Sequence, residues 1–368
     1  MECTDKKWLN TDEYLNWFNS LARQRRIPLA GSMELTYRCN LGCVHCYLGP
    51  MSERHYLGPE EMSTGQVLNV IDDIVDAGCL YLLLTGGEPL LRNDFPEIYR
   101  YAKKSGLIVT VFSNGTLVTE EIIRLFREFP PREVEISLYG STPETYEKIS
   151  GVPGSYNKCI DGIRLLLDNK IKVNLKTILM TLNSHELFDI EGMAKSFGTR
   201  FRFDAAISPC LNGDNTPLTL RVSPEEAIDK ELANKENLLQ WKKFFNESKD
   251  RRLTDSLYGC GAGMTGFHID PSGNLLPCMM VNDIHCNLLE TGFMRGWNDM
   301  ISQISDRKSD PDFVCRSCEK INLCGYCPAF FRLETGAENI CSEYICRTGD
   351  LRYQRIKDYE MEGAGYEK

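Results

Sequence analysis

Cys39, Cys43 and Cys46 lie within one short stretch, spaced C-x3-C-x2-C, directly after the apolar run Met33–Tyr37. A loop of this size can wrap three thiolates around one corner of an iron–sulfur cluster. A cubane cluster has four irons, so three protein ligands leave one iron open. An open iron can take a substrate or cofactor through that molecule's own polar atoms, as the open position of a catalytic metal does. A structural zinc loop would need a fourth Cys or His close by. His45 is the near neighbour, but it sits between two of the ligands, on the wrong side of the loop.

Nine more cysteines follow residue 259: Cys260, Cys278, Cys286, Cys315, Cys318, Cys324, Cys327, Cys341 and Cys346. The first part reads Cys260-x12-Gly273-x4-Cys278, with Phe267 to Cys278 patterned as a β-hairpin around Pro-Ser-Gly. The second reads Cys315-x2-Cys318-x5-Cys324-x2-Cys327. A zinc ribbon explains a lone C-x2-C…C-x2-C; here it must also explain the hairpin pair and the extra cysteines. Cys3, Cys79, Cys159 and Cys210 stand singly and read as small buried apolar residues.

Other polar groups recur at the ends of apolar runs. Leu80–Thr85 leads into Gly86-Gly87-Glu88-Pro89, where two glycines free the backbone to approach a ligand and to pair with a zwitterion. Val111-Phe-Ser113-Asn114-Gly115 and Ile136-Ser137-Leu-Tyr-Gly140 each place a small hydroxyl or amide suited to a ribose or a carboxylate. Ordinary turn chemistry uses the same residues. Lys176 stands within another such run, placed to meet a ligand carboxylate or to pair with a core acid.

The elements that must hold these groups alternate regularly. Expected strands are Met33–Tyr37, Leu80–Thr85, Ile108–Phe112, Glu133–Leu138, Val173–Met180 and Arg200–Ile207. Expected helices are Ser63–Ala77, Asp94–Ser105, Thr119–Phe129, Ser155–Asn169 and His185–Phe197. Strands alternating with helices of this length imply βαβ units and a parallel sheet. Six units are fewer than the eight of a closed barrel, so an open, partial α/β barrel of the (β/α)6 type is expected, with functional groups at the C-terminal ends of its strands. Residues 8–23 space Trp8, Tyr14, Leu15, Trp17, Phe18 and Leu21 helically, which predicts an amphipathic helix packed on the barrel. The expected divisions are a helical lead-in (1–32), the barrel (33–209), a charged helical connection (210–258, with one helix over 224–249), a cysteine-rich extension (259–347) and a tail (348–368).

Composition limits the function. A net charge of -10 disfavours nucleic acid as a partner, because a phosphate-binding face needs basic excess. No apolar run approaches the roughly 18 residues of a membrane span, and the first residues lack the apolar stretch of a signal peptide. A cytosolic location is therefore expected, and there sixteen cysteines point to metal rather than to disulfides.

Together, the C-x3-C-x2-C loop and the following GGEP resemble the signature of the radical S-adenosylmethionine (SAM) enzymes. The later array resembles their SPASM extension, with two residues (Gly325-Tyr326) where the family usually has three. The resemblance spans residues 33–346 and implies an enzyme. SAM would bind the open iron of a [4Fe–4S] cluster held by Cys39, Cys43 and Cys46. Reductive cleavage, fed by ferredoxin or flavodoxin, would yield a 5′-deoxyadenosyl radical that abstracts hydrogen from a C–H bond. Gly86, Gly87, Glu88, Pro89, Ser113, Asn114 and Ser137 would line the SAM site, with Lys176 at its carboxylate. Two auxiliary [4Fe–4S] clusters are implied: one on Cys260, Cys278 and Cys327, the other on Cys315, Cys318, Cys324 and Cys346. Cys341 could replace Cys346 or, like Cys286, complete the first. The family's usual substrate, a ribosomally made peptide or protein, is the leading expectation. Enzymes acting on tetrapyrrole side chains and sulfatase-maturating oxidases are the alternatives. The 38 residues before Cys39 are too few for a leader-binding domain, so a separate recognition protein is expected.

Overall fold

The computed structural model describes residues 10–52, 60–249 and 255–364; Cys3 and Trp8 lie outside them. Helix α1 (Thr11–Gln24) starts at a capping box, in which Asn10 and Glu13 each accept the other's backbone N–H. Its apolar stripe does not pack on the barrel as expected. Tyr14, Leu15 and Trp17 are about half exposed, and Ala22 is buried. The last turn makes the attachment, where Arg23 donates to the carbonyls of Gly259 and Cys260 at 2.8 and 2.9 Å.

The barrel strands are β1 (Ala30–Glu34), β2 (Tyr81–Thr85), β3 (Ile108–Ser113), β4 (Glu133–Ser137), β5 (Val173–Ile178) and β6 (Arg200–Asp204), all parallel in sequence order. The period of two decides what each face sees. Val109, Val111, Val134, Ile136, Val173 and Leu175 are buried in the main core cluster. The residues between them, among them Phe112, Glu135, Ser137 and Lys176, face the other way. Helices α2 (Thr64–Asp76), α3 (Phe95–Lys104), α4 (Glu120–Glu128), α6 (Ser155–Asp168) and α7 (Leu187–Ser196) fall where the spacing predicts. Strand β1 lies three residues earlier than expected: Ala30–Ser32 already pair with strands on both sides, and from Leu35 onward the chain turns to the β2 loop, where Leu35 N–H bonds Thr85 and the Thr36 carbonyl accepts Gly87 N–H. An unexpected short helix, α5 (Pro143–Ser150), follows β4. It opens on a Thr142 cap and Pro143 and closes on left-handed Gly151, too short to show a helical period.

The connection is two helices rather than one, α8 (Pro224–Leu232) and α9 (Lys235–Ser248), because Asn234 caps the second. Beyond it the chain rejoins the barrel. Strand β7 (Gly266–Ile269) pairs in parallel with the free side of β1, and β8 (Asn274–Leu276) and β9 (Cys286–Asn287) continue antiparallel. The result is one nine-stranded sheet in the order β6-β5-β4-β3-β2-β1-β7-β8-β9. Gly31 permits the junction: a Cβ there would lie 2.2 Å from Cζ of Phe267. Helices α10 (Leu288–Thr291), α11 (Phe293–Asp306), α12 (Pro328–Thr335) and α13 (Glu343–Ala364) complete the cysteine-rich part. One buried cluster runs from Met33 in β1 to Ile345 in α13. Among the described residues no helix is long and apolar enough to cross a membrane.

Candidate metal centre

The three-cysteine loop leaves the C-terminal end of β1 and is held from several sides. On one side, Gly42 and Val44 donate backbone N–H to the carbonyls of Ser150 and Ile149, at 2.8 and 3.0 Å. The unforeseen helix α5 therefore serves as a footing for the middle of the loop. On another side, Gly87 and Glu88 donate to the carbonyls of Thr36 and Arg38. A Cβ on Gly86 or Gly87 would come within 2.3 Å of a loop carbonyl oxygen, so this contact requires glycine. The GGEP stretch and the cysteine loop are thus one packed unit.

Glu88 is fully buried and accepts from the Ser113 hydroxyl (2.9 Å), Asn114 N–H (2.7 Å) and Leu90 N–H (3.2 Å). Burial nevertheless pushes its carboxyl up to about 7. Its side chain therefore fixes the end of β3 from behind. Asn114 in turn lies 3.8 Å from the Cys39 sulfur and donates to Asn40 at 2.9 Å, while Asn40 donates to Thr116. Tyr139, just past β4, packs its ring edge-on to His45 at 4.6 Å. Burial raises its hydroxyl well above the ordinary range, and the nearby Cys43, Cys46 and Cys39 thiols add to the shift. Burial lowers His45 to about 4, so its ring is neutral.

The last cysteine is held from the opposite direction. Cys210 donates its thiol to the Cys46 carbonyl at 3.3 Å, and Leu211 N–H bonds the Tyr47 carbonyl at 2.8 Å. The Tyr47 hydroxyl donates to Glu34 at the end of β1. Glu34 lies 3.5 Å from His268 Nε2 on β7, and His268 Nδ1 lies 2.8 Å from Ser32 Oγ.

Ser137 and Lys176 are register partners on β4 and β5. Lys176 Nζ sits 3.1 Å from the centre of the Phe112 ring and 3.7 Å from Glu135, which Arg202 also holds at 2.6 Å. Burial drops the lysine to about 7. These contacts pair Lys176 with an acid of the neighbouring strand.

The C-terminal cysteines form two neighbourhoods. Cys278 is raised to about 11 by burial, with Cys327 and Cys260 adding to the shift, and Cys327 is raised by burial and by Cys260. Cys315, raised to about 12, has Cys341, Cys324 and Cys318 beside it, and Cys346 adjoins Cys341, Cys315 and Cys324. Cys341 therefore stands with the second group and not the first. Cys286 belongs to neither: its thiol meets Thr291 and Asp299, and its sulfur would lie 2.3 Å from a Cβ on Gly296. None of the described cysteines is in a disulfide. Within the described residues, no three ligand-type side chains converge on a single-ion point. Thiols grouped in threes and more, outside any disulfide, fit the donor set of iron–sulfur clusters, which bind thiolates and release the thiol protons.

The spacing marked the cysteines and glycines, while Tyr47, Glu34, His268, Tyr139 and Cys210 carried no motif. Their sequence signal, a polar or aromatic residue amid apolar ones, is indistinguishable from core filling.

A model of the family described as the Radical SAM superfamily matches residues 33–197. Over 345 residues the chain is 28% identical to the AdoMet-dependent heme synthase of Methanosarcina barkeri, covering 84% of this chain and 93% of that protein. Over 313 residues it is 28% identical to the mycofactocin maturase MftC of Mycobacterium tuberculosis, covering 82% and 78%. The solved structure of Streptococcus suis SuiB bound to precursor peptide SuiA matches with a TM-score of 0.68 at 14% identity, over 94% of this chain and 83% of that one. At that identity the likeness is one of fold.

Proposed function

The chain belongs to the radical SAM superfamily and is an enzyme that works with a [4Fe–4S] cluster and SAM, and we propose that its substrate is a ribosomally made peptide or protein. In this reading Cys39, Cys43 and Cys46 hold the cluster. The main chain of Gly86 and Gly87, with Asn114 and Ser137, forms the SAM side of the lumen, and Ser113 braces it from behind through Glu88. When bound, cluster and SAM supply hydrogen abstraction from an unactivated C–H bond. The protein's own residues position that chemistry and exclude water: α5 and the GGEP turn fix the loop, and Tyr139 closes it with a neutral ring.

The reading rests chiefly on the two thiol groups, most of whose members pack in or against the core cluster shared with the barrel. Cys260, Cys278 and Cys327 make one auxiliary site; Cys315, Cys318 and Cys324, with Cys341 or Cys346, make the other. They give the substrate radical a place to lose or gain an electron. The maturase relative MftC and the peptide-bound SuiB fold point the same way. A ferredoxin or flavodoxin supplies the first electron, and a separate small protein presents the peptide's leader.

A second reading, tetrapyrrole side-chain chemistry, is favoured by the heme synthase match across 93% of that protein. One experiment separates the two. Anaerobically reconstituted enzyme is given SAM and reductant with either the peptide encoded beside its gene or an iron porphyrin bearing propionates, and products are read by mass spectrometry. A mass change in the peptide alone is expected. A change in the porphyrin alone would overturn the peptide reading. Three clusters require about twelve irons per chain, at four per cubane; about four with bound zinc would remove the auxiliary sites.

A further inference from the structure

We propose that His268, on a strand of the cysteine-rich part, is a positioning residue for the radical loop, acting through Glu34 and Tyr47 on the last ligand, Cys46. The inference rests on the reading that Cys39, Cys43 and Cys46 hold the cluster. It adds a route by which the C-terminal half sets that cluster's geometry.

The argument starts from burial. Glu34 and His268 are 2% and 4% exposed. A carboxylate so enclosed is tolerated only with partners. Glu34 has two: the Tyr47 hydroxyl on one oxygen and His268 Nε2, 3.5 Å from the other. The far side of the imidazole is fixed by Ser32, 2.8 Å from Nδ1, so the ring is oriented at both nitrogens. The four side chains form one line, Ser32–His268–Glu34–Tyr47, crossing from β7 over β1 to the residue that follows Cys46.

The line has a direction. Glu34 stands at the end of β1, a strand locked by neighbours on both sides, and His268 on β7 is the register partner of Ser32, two residues before Glu34, which it reaches by its side chain. Tyr47 is the member that lies on a loop. A shift of the His268–Glu34 pair is therefore passed to Tyr47. The main chain there is also gripped from the C-terminal side, by Leu211 N–H on the Tyr47 carbonyl and by Cys210 on that of Cys46. Cys43, by contrast, is anchored through its neighbours Gly42 and Val44 to α5. Cys46 keeps a bond to the rest of the loop, its N–H on the Cys43 carbonyl at 3.1 Å, but it alone of the three adjoins a residue held by the Glu34–His268 pair and the 210–211 turn.

The test compares H268L, H268Q and Y47F with wild type. Amide hydrogen exchange over residues 43–49 is measured in metal-free protein. The electron paramagnetic resonance spectrum of the reduced cluster is recorded with and without SAM. Freeing Tyr47 should raise exchange over 46–49 about tenfold. It should also weaken SAM binding to a similar degree, alter the SAM-induced change in the spectrum and leave about four irons on the loop. H268Q, which can still donate to Glu34, should restore most of this. Y47F should reproduce the H268L effect without disturbing the histidine, so a poorly folded H268L would not leave the question open. Unchanged exchange and spectra in Y47F overturn the proposal, as does an H268L that only melts earlier. If the wild type itself shows no SAM-sensitive cluster signal, it is the cluster assignment that fails, while the exchange data still judge the hydrogen-bonded line.

Discussion

Lys176 holds a charge where burial disfavours one. Its amine, against the Phe112 ring and Glu135, is lowered to about 7 from an ordinary value of 10.5. The charged form is thus penalised in the folded chain, fully below about 7, and the penalty is gone once the unfolded chain also loses the proton near 10.5. Glu88 behaves in the opposite sense. Its carboxyl is raised to about 7 from 4.5, so the stability it contributes is complete below 4.5 and lost as pH rises through 7. Relative to E88Q, metal-free wild type should therefore lose stability from pH 5 to 7, and relative to K176M it should regain some from 7 to 10, beside the loss that the raised buried thiols impose on every variant above 9. K176M should lack the regain and E88Q the loss, each by about 3 °C or more in thermal midpoint. Parallel curves for wild type and K176M would show that Lys176 keeps its ordinary value. The cysteines of this site were legible because ligand spacing is a covalent property of the chain. Glu88 was legible as a motif, but not as a buried brace for Ser113 and Asn114, since a sequence does not say which way a carboxylate turns.

At the scale of elements, alternation of β-branched runs and helical stretches located all six barrel strands and five of the helices between them. It missed α5, whose eight residues span barely two turns. It also missed that β7 belongs to the barrel sheet, because a four-residue strand pairing with a partner far away in sequence leaves no local signal. Gly31 is the residue on which that pairing turns. G31A places a methyl within the Phe267 ring, which must move together with β7; overpacking of this kind costs about 1–3 kcal/mol. Denaturant titration of G31A should show that loss. Exchange should rise first along Gly266–Ile269 and then at His268's partners on the radical loop. A variant as stable as wild type would mean that β7 can shift on β1 at no cost.

For the whole molecule, one sheet and one core cluster run from the strand that carries the three-cysteine loop to the C-terminal cysteine-rich part. The barrel and the extension should therefore unfold together: metal-free protein should melt in a single transition, with calorimetric and van't Hoff enthalpies equal. Two resolved transitions would show that the extension is a separate cooperative unit in spite of the shared strands. The sheet also has a beginning it never meets. Among the described residues β6 is terminal, with β5 on one side and no strand on the other. A closed barrel admits a polymer only by its end, like thread through a needle's eye. A barrel left unsealed is a hook, and a chain can be hung on it at any internal residue, with both of its ends still outside.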